Sequence, residues 1–231
     1  LEREVVPLYY ERDEAGLLAY AAERGFLSRT DRTVHEQVLA RMQSRQLPVT
    51  VHDAVDGEIR TRSGAEMARE IVAASGALRA LGVGRGHRVA LVGLNSSRYL
   101  ALDTAIGLSG AVSVPLYYTS PIAEIGEIVK ASEARLLLVG APDVLAHVAS
   151  LQGTVPIASF CRGPVPAGLS RWILSWEAFL ALGRGAPGVA QPAAASRSER
   201  LVLGAPVAPS DPATLRFTSC IDFLCSSFDI R

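Results

Sequence analysis

The stretch GHRVALVGLNSSRYLALDTAIGLSGAVSVPLYYTSP (86–121) decides the fold. Within it RVALVGL (88–94) is apolar at successive positions, the pattern of a strand buried on both faces rather than of one with a wet side. Asn95 or Ser96 stands where a helix N-cap belongs, and the helix it opens is predicted to run to about Ser109. AVSVPLY (111–117) reads as a second strand, and Ser120-Pro121 opens a further helix with Ile122, Ile125 and Val129 inward and Lys130 near its C-terminal end. ARLLLVG (134–140) is a third strand. Doubly apolar strands separated by helices of 10–15 residues imply an α/β protein with a mostly parallel sheet flanked by helices.

Downstream, the same alternation predicts a helix over 142–151, a strand at VPIASF (155–160) and a helix at WEAFLAL (176–182). Residues 183–212 are rich in Gly, Pro, Ala and Ser, interrupted by Leu201-Val202-Leu203, and read as a linker or a long functional loop. ATLRF (213–217) resumes strand character ahead of Thr218-Ser219. Upstream, Thr33 and Glu36 have capping-box spacing, with Val34, Val38 and Met42 on one helical face. Ser63 and Glu66 repeat the device before a helix whose stripe is Met67, Ile71, Leu78 and Leu81, and Gly82, Gly84 and Gly86 then break that helix. Residues 1–32 form an N-terminal extension to this pattern.

Composition bounds the function. The 231 residues carry 23 basic and 23 acidic side chains, so no bulk charge draws the chain to nucleic acid or an anionic membrane. Nearly half the residues are apolar (49%), enough for a core, yet no run approaches the roughly 20 needed to span a bilayer. Cys161, Cys220 and Cys225 are too few and too irregular for a disulfide framework or a zinc site, and a reduced, cytoplasmic setting is expected. Lys130 is the single lysine among the 23 basic residues.

Gly82-x-Gly84-x-Gly86 is the wrong way round for a dinucleotide fingerprint, because it ends a helix and precedes a strand; it reads as a cap and turn. His35, His52, His87 and His147 are dispersed with no metal spacing, and surface or packing roles are expected for His35 and His147, which sit within helical stretches; Cys161 has no base partner in sequence and reads as a small buried hydrophobe. Thr218 and Ser219 follow a strand, at the edge where an α/β sheet presents its ligand site.

Several motifs in order resemble the N-terminal part of the adenylate-forming (AMP-binding) superfamily of acyl-CoA synthetases and related ligases. They are RTRSGAEM (60–67), GVGRGHRVAL (82–91), NSSRYL (95–100) and SGAVSVPL (109–116), with His87 where the family has Asp and Ser109 where it has Ala. The resemblance covers about 33–219, a partial adenylate-forming domain, and Tyr-Tyr-Thr-Ser-Pro (117–121) leans toward long-chain acyl-CoA synthetases. It implies fatty acid metabolism and a two-step reaction with ATP and Mg. A carboxylic acid forms an acyl-adenylate, and the thiol of CoA or of a carrier protein then takes the acyl group. In the family the phosphates lie in a loop of the form T-S-G-[ST]-T-G-x-P-K-G, and LRFTS (215–219) matches the approach to it, which makes Thr218 and Ser219 the nucleotide-binding candidates.

The sequence then departs from the family. It reads CIDFLCSSFDIR (220–231), with no Gly after Gly204 and no Lys after Lys130. The loop glycines that permit close backbone approach to phosphate are absent, so no catalytic residue is assigned and the chain is expected to be inactive as it stands. Residues 220–231 are expected to be a divergent tail produced by a frameshift or junction near Cys220, with apolar side chains that favour self-association. The competing readings are a non-catalytic lobe kept for protein interaction and an unrelated nucleotide-binding α/β module.

Overall fold

The computed structural model describes residues 33–55, 57–185, 207–208, 211–217 and 227–230. The expectations for residues 1–32, for most of 183–212 and for Thr218-Ser219 therefore lie outside the described residues.

Helix α1 (Val34–Met42) opens with both arms of the capping box, Thr33 and Glu36 each bonding the other's backbone amide. Leu39 and Met42 are buried, but Val34 is 69% exposed. Its expected place is taken by His35, whose ring lies against the bare backbone of Gly107. Next comes a hairpin that hydrophobic patterning does not announce, β1 (Thr50–Val55) paired antiparallel with β2 (Glu58–Ser63). Helix α2 (Gly64–Ala80) starts from the second capping box, Ser63 with Glu66, and buries Met67, Ile71 and Leu78 as its stripe requires.

The sheet follows the expected alternation. Strand β3 (Arg88–Gly93) leads into α3 (Ser97–Leu108), capped by Ser96. Strand β4 (Val112–Leu116) leads into α4 (Ile122–Ala131), whose cap position is Pro121 with no side-chain bond, so Ser120 serves the turn instead. Strand β5 (Leu136–Gly140) precedes α5 (Pro142–His147), which tightens into a 3-10 turn at Val148–Leu151 where one continuous helix was expected. Strands β6 (Ile157–Ser159) and β7 (Ile173–Leu174) precede α6 (Trp176–Arg184), and β8 (Thr214–Phe217) and β9 (Ser227–Ile230) complete the set.

The strand order is β7-β6-β5-β3-β4-β8-β9. The first six run parallel, and β9, within the tail 220–231, joins the edge antiparallel to β8. One face packs Val89, Leu91, Leu136 and Leu138 against α2, α3 and α6. The other packs Ala90, Val92, Leu137 and Val139 against α4 and α5. Alternate residues of the same strand thus enter different cores, which is why these strands read as unbroken apolar runs. Helices α2 and α6 approach closely at Gly183, where a Cβ would lie 2.7 Å from the Ala73 carbonyl carbon and from the Ala77 nitrogen.

Candidate functional site

In an open parallel sheet, ligands bind outside the carboxyl ends of the strands, where loops leave for opposite faces. The chain leaves β3 toward the α3 face, whereas it leaves β4 and β5 toward the α4 and α5 face. The topology therefore switches direction at the crevice beside β3.

Two groups of this chain fill it. Gly93 and Gly140 are register partners at the ends of β3 and β5, and the Phe160 ring lies across both. A Cβ on Gly93 would fall 2.6 Å from Phe160 Cζ, and a Cβ on Gly140 would overlap the ring outright. Phe160 is 3% exposed and meets Tyr99 edge-on at 6.2 Å. Glycine at both strand ends is thus required for an aromatic ring to approach the backbone, not for a phosphate to do so.

The second group sits at the α3 N-terminus, ordinarily an anion site. Asp53 of the hairpin occupies it: its carboxylate accepts from the Ser97 amide at 2.6 Å, from the Ser97 hydroxyl and from Arg162. Burial alone would raise the Asp53 carboxyl; the hydrogen bonds from Ser97 and the Arg162 charge outweigh it and hold Asp53 below the usual carboxylate range. Arg62 bonds Glu70 at 2.6 Å and reaches the Ser97 hydroxyl at 3.2 Å. Arg98 donates to the Cys161 carbonyl at 2.6 Å, lies 5.0 Å over the Trp176 ring and stands 3.8 Å from Glu177. Desolvation lowers Arg98, with Glu177 opposing, while the Glu70 hydrogen bond raises Arg62 against its own desolvation. Three arginines here, Arg62, Arg98 and Arg162, are matched by three carboxylates, Glu70, Glu177 and Asp53.

The sequence candidates fall as follows. Cys161 is buried and its thiol is pushed up by desolvation, the state of a packing residue. His52 pairs with Thr61 across the hairpin, His87 accepts from the Gly84 amide in the glycine turn, and His147 bonds the Asp143 carbonyl. Burial lowers His35, with the Asp103 charge opposing. No group of three or more metal-ligating side chains exists among the described residues. Lys130 is exposed at the end of α4. Among the described residues no helix is long and apolar enough to cross a membrane.

The large hydrophobic side chains left exposed on the carboxyl edge are Leu94 after β3, and Tyr117 and Tyr118 after β4, the latter pair 77% and 47% exposed. Strand β8 runs parallel to β4 and ends at Phe217 on this same edge, with Thr218 and Ser219 next in sequence. Among the described residues the α3 terminus is occupied by Asp53 and the β3–β5 crevice by Phe160. Sequence reasoning did not find Asp53, Arg62, Arg98 or Arg162, since Asp53 lies 44 residues from Ser97 and 109 from Arg162 and no local pattern links them.

Comparisons with known proteins agree with this architecture. A family model described as AMP-binding enzyme matches residues 40–220. Long-chain-fatty-acid–CoA ligase FadD15 of Mycobacterium bovis is 36% identical over 102 residues, 44% of this chain and 17% of that protein, and the Mycobacterium tuberculosis protein of the same name matches equally. The crystal structure of VinN superposes with a TM-score of 0.63 at 19% identity, covering 87% of this chain and 44% of VinN. The anthranilate CoA ligase AuaEII, solved with anthranoyl-AMP, gives a TM-score of 0.55 at 23% identity over 74% of this chain and 30% of its own. At these identities the structural likeness speaks for the fold.

Proposed function

The chain belongs to the AMP-binding enzyme family, and on that premise we propose that it forms part of an ATP-dependent enzyme that activates a carboxylic acid as its acyl-adenylate and passes the acyl group to a thiol. In the first step a carboxylate oxygen bonds to the α-phosphorus of ATP and pyrophosphate leaves. In the second, the thiol sulfur of CoA or of a carrier-protein phosphopantetheine bonds to the acyl carbon and AMP leaves.

The observation that carries this reading is the family match over 40–220, which runs through the parallel sheet to the residues just beyond β8. The described residues supply the scaffold. Phe160 and the Asp53 network occupy the crevice beside β3, and the ligand edge is proposed at the end of β8. Thr218 and Ser219 are the proposed first residues of the phosphate loop, within a partial domain over 33–219. Mg-ATP is the proposed nucleotide, and a fatty acid is the substrate class favoured by the likeness to FadD15. A reducing cytoplasm suits the buried free thiol of Cys161.

The 231 residues contain no Gly after Gly204 and no Lys after Lys130, so this chain alone is proposed not to turn over, and 220–231 is proposed to depart from the family frame. Incubated with Mg-ATP and a panel of fatty, aromatic and amino acids, the chain is expected to release pyrophosphate no faster than the protein-free blank. Release above the blank overturns the inactivity. Reading the gene in its other two frames beyond codon 219 is expected to show a Thr- and Gly-rich loop bearing Lys. If neither frame encodes one, the missing glycines favour the second reading, a non-catalytic lobe retained for interaction.

A further inference from the structure

The hairpin β1–β2 is attached to the body unlike any other element. Strand β2 is solvent-exposed at five of its six positions, and Ile59, its one large aliphatic, is 74% exposed. Among the described side chains of β1, Val51 alone is packed, and only partly, against the cluster formed by α1, α2 and α3. The hairpin sheet has two strands and no connection to the main sheet. A two-stranded ribbon with so little apolar contact is marginal by itself.

What fastens it is ionic. Asp53, 6% exposed, takes three hydrogen bonds from Ser97 and Arg162. Arg62, on the partner strand and opposite Val51 in register, reaches Glu70 and the Ser97 hydroxyl. Both anchors converge on Ser97, so one position on the body holds both strands. The base is fixed separately: the Gly64 amide bonds the Val49 carbonyl at 2.8 Å, and Gly64 abuts the Met42 carbonyl, which a Cβ would approach to 2.5 Å. Between a pinned base and an ionic clasp there is little else.

We propose that the β1–β2 hairpin is an ion-latched strap, clasped by Asp53 and Arg62 onto Ser97, Arg162 and Glu70, which opens as a unit about its Val49–Gly64 base while the parallel sheet stays folded. Opening uncovers the α3 N-terminus and frees the Ser97 and Arg162 donors. The proposal does not depend on the catalytic reading, because every group it uses lies among the described residues and none is assigned to the reaction.

Native-state hydrogen exchange on the whole chain tests it. The amides of 51–62 are expected to exchange together, well ahead of those of β3 and β5. Raising NaCl from 0.05 to 1 M should speed the hairpin only modestly and leave β3 and β5 unmoved, since latch pairs this well buried are screened much less than exposed ones. Asp53→Asn should speed the hairpin about 10- to 100-fold, the worth of a charge-assisted hydrogen bond expressed as an opening constant. Arg162→Gln, which removes a donor from the body side, should do the same to a smaller extent. In Asp53→Ala, 0.2 M formate should slow hairpin exchange relative to equal chloride, because a carboxylate can re-enter the vacated position. Exchange of hairpin and sheet as one cooperative unit in the unsubstituted chain overturns the proposal. That comparison needs no variant, so a substitution that fails to fold leaves the test intact.

Discussion

The contact of Phe160 with Gly93 and Gly140 makes a quantitative prediction, because the two glycines meet the same ring differently. For Gly140, the three atoms nearest an added Cβ are all carbons of the Phe160 ring, and each lies inside the van der Waals limit. For Gly93, one is Phe160 Cζ at 2.6 Å, and the others are the Gly140 Cα at 2.8 Å and the Gly140 carbonyl carbon at 3.0 Å. Against an ordinary contact near 3.4 Å, Gly93→Ala leaves the ring short by about 0.8 Å and the neighbouring strand short by about 0.6 Å, an overpacking that costs about 1–3 kcal/mol. Gly140→Ala is expected to cost at least as much. Phe160→Ala removes a buried ring and should cost about 3–5 kcal/mol. In the double variant Gly140→Ala/Phe160→Ala the added methyl enters the space the ring vacates. Its penalty should vanish, which gives a favourable coupling of about 1–3 kcal/mol. In Gly93→Ala/Phe160→Ala the backbone clash with β5 persists, so the coupling should be about half as large. Urea unfolding followed by tryptophan fluorescence reads these differences, provided the denaturant slope is unchanged between variants. Additive costs for Gly140 and Phe160, within about 0.5 kcal/mol, would refute the placement of the ring across the strand ends.

Three further outcomes follow from the same geometry. Gly183→Ala puts a methyl against the Ala73 carbonyl and the Ala77 nitrogen, so α2 and α6 must separate, and a loss of about 1–3 kcal/mol in thermal unfolding is expected; an unchanged midpoint counts against the close crossing. His35 is held below its ordinary value by burial, so the folded state binds its proton less readily than the unfolded chain. Stability from this group is therefore full above about pH 6.5 and declines as pH falls toward the folded value; His35→Gln should flatten that limb of the stability–pH curve, and an unaltered slope sinks the assignment. Asp53 is likewise held low, so its contribution is present above about pH 3.9 and lost as pH falls through the folded value, a loss that should be missing from the acid limb of Asp53→Asn.

The sheet was legible because its signals are local. Strands β3, β4 and β5 announce themselves by apolar residues on both faces, and the two capping boxes, Thr33–Glu36 and Ser63–Glu66, fix helix starts within four residues of sequence. The hairpin was not legible, since β2 reads Glu-Ile-Arg-Thr-Arg-Ser and faces water almost throughout, which leaves no alternation to detect. Strand β7 is two residues long and offers nothing to count. Periodicity chose Val34 for the inner face of α1, but Gly107 leaves a space that an imidazole fills, so tertiary context put His35 inward. The polar network beside β3 is long-range by construction, with Arg98 reaching a carbonyl 63 residues away. The family motifs pointed to the fold because they are themselves strand and turn signals; the residues proposed to contact nucleotide begin at Thr218, outside the described residues.

The return of the chain to the sheet has a consequence for how this protein can change over generations. Asp211 accepts from the Ala208 amide at 2.8 Å and from Arg85 at 2.6 Å, which ties the approach to β8 to the glycine turn before β3. At the other end, Gly183 locks α6 onto α2. Both ends of the intervening chain are therefore anchored to the body independently of what joins them. Closing a loop between fixed points costs only about 0.6 kcal/mol for each doubling of its length. Changes of length between Gly185 and Val207 should therefore cost little in closure entropy, whereas loss of Asp211 or Arg85 removes one of the contacts that hold the approach to β8.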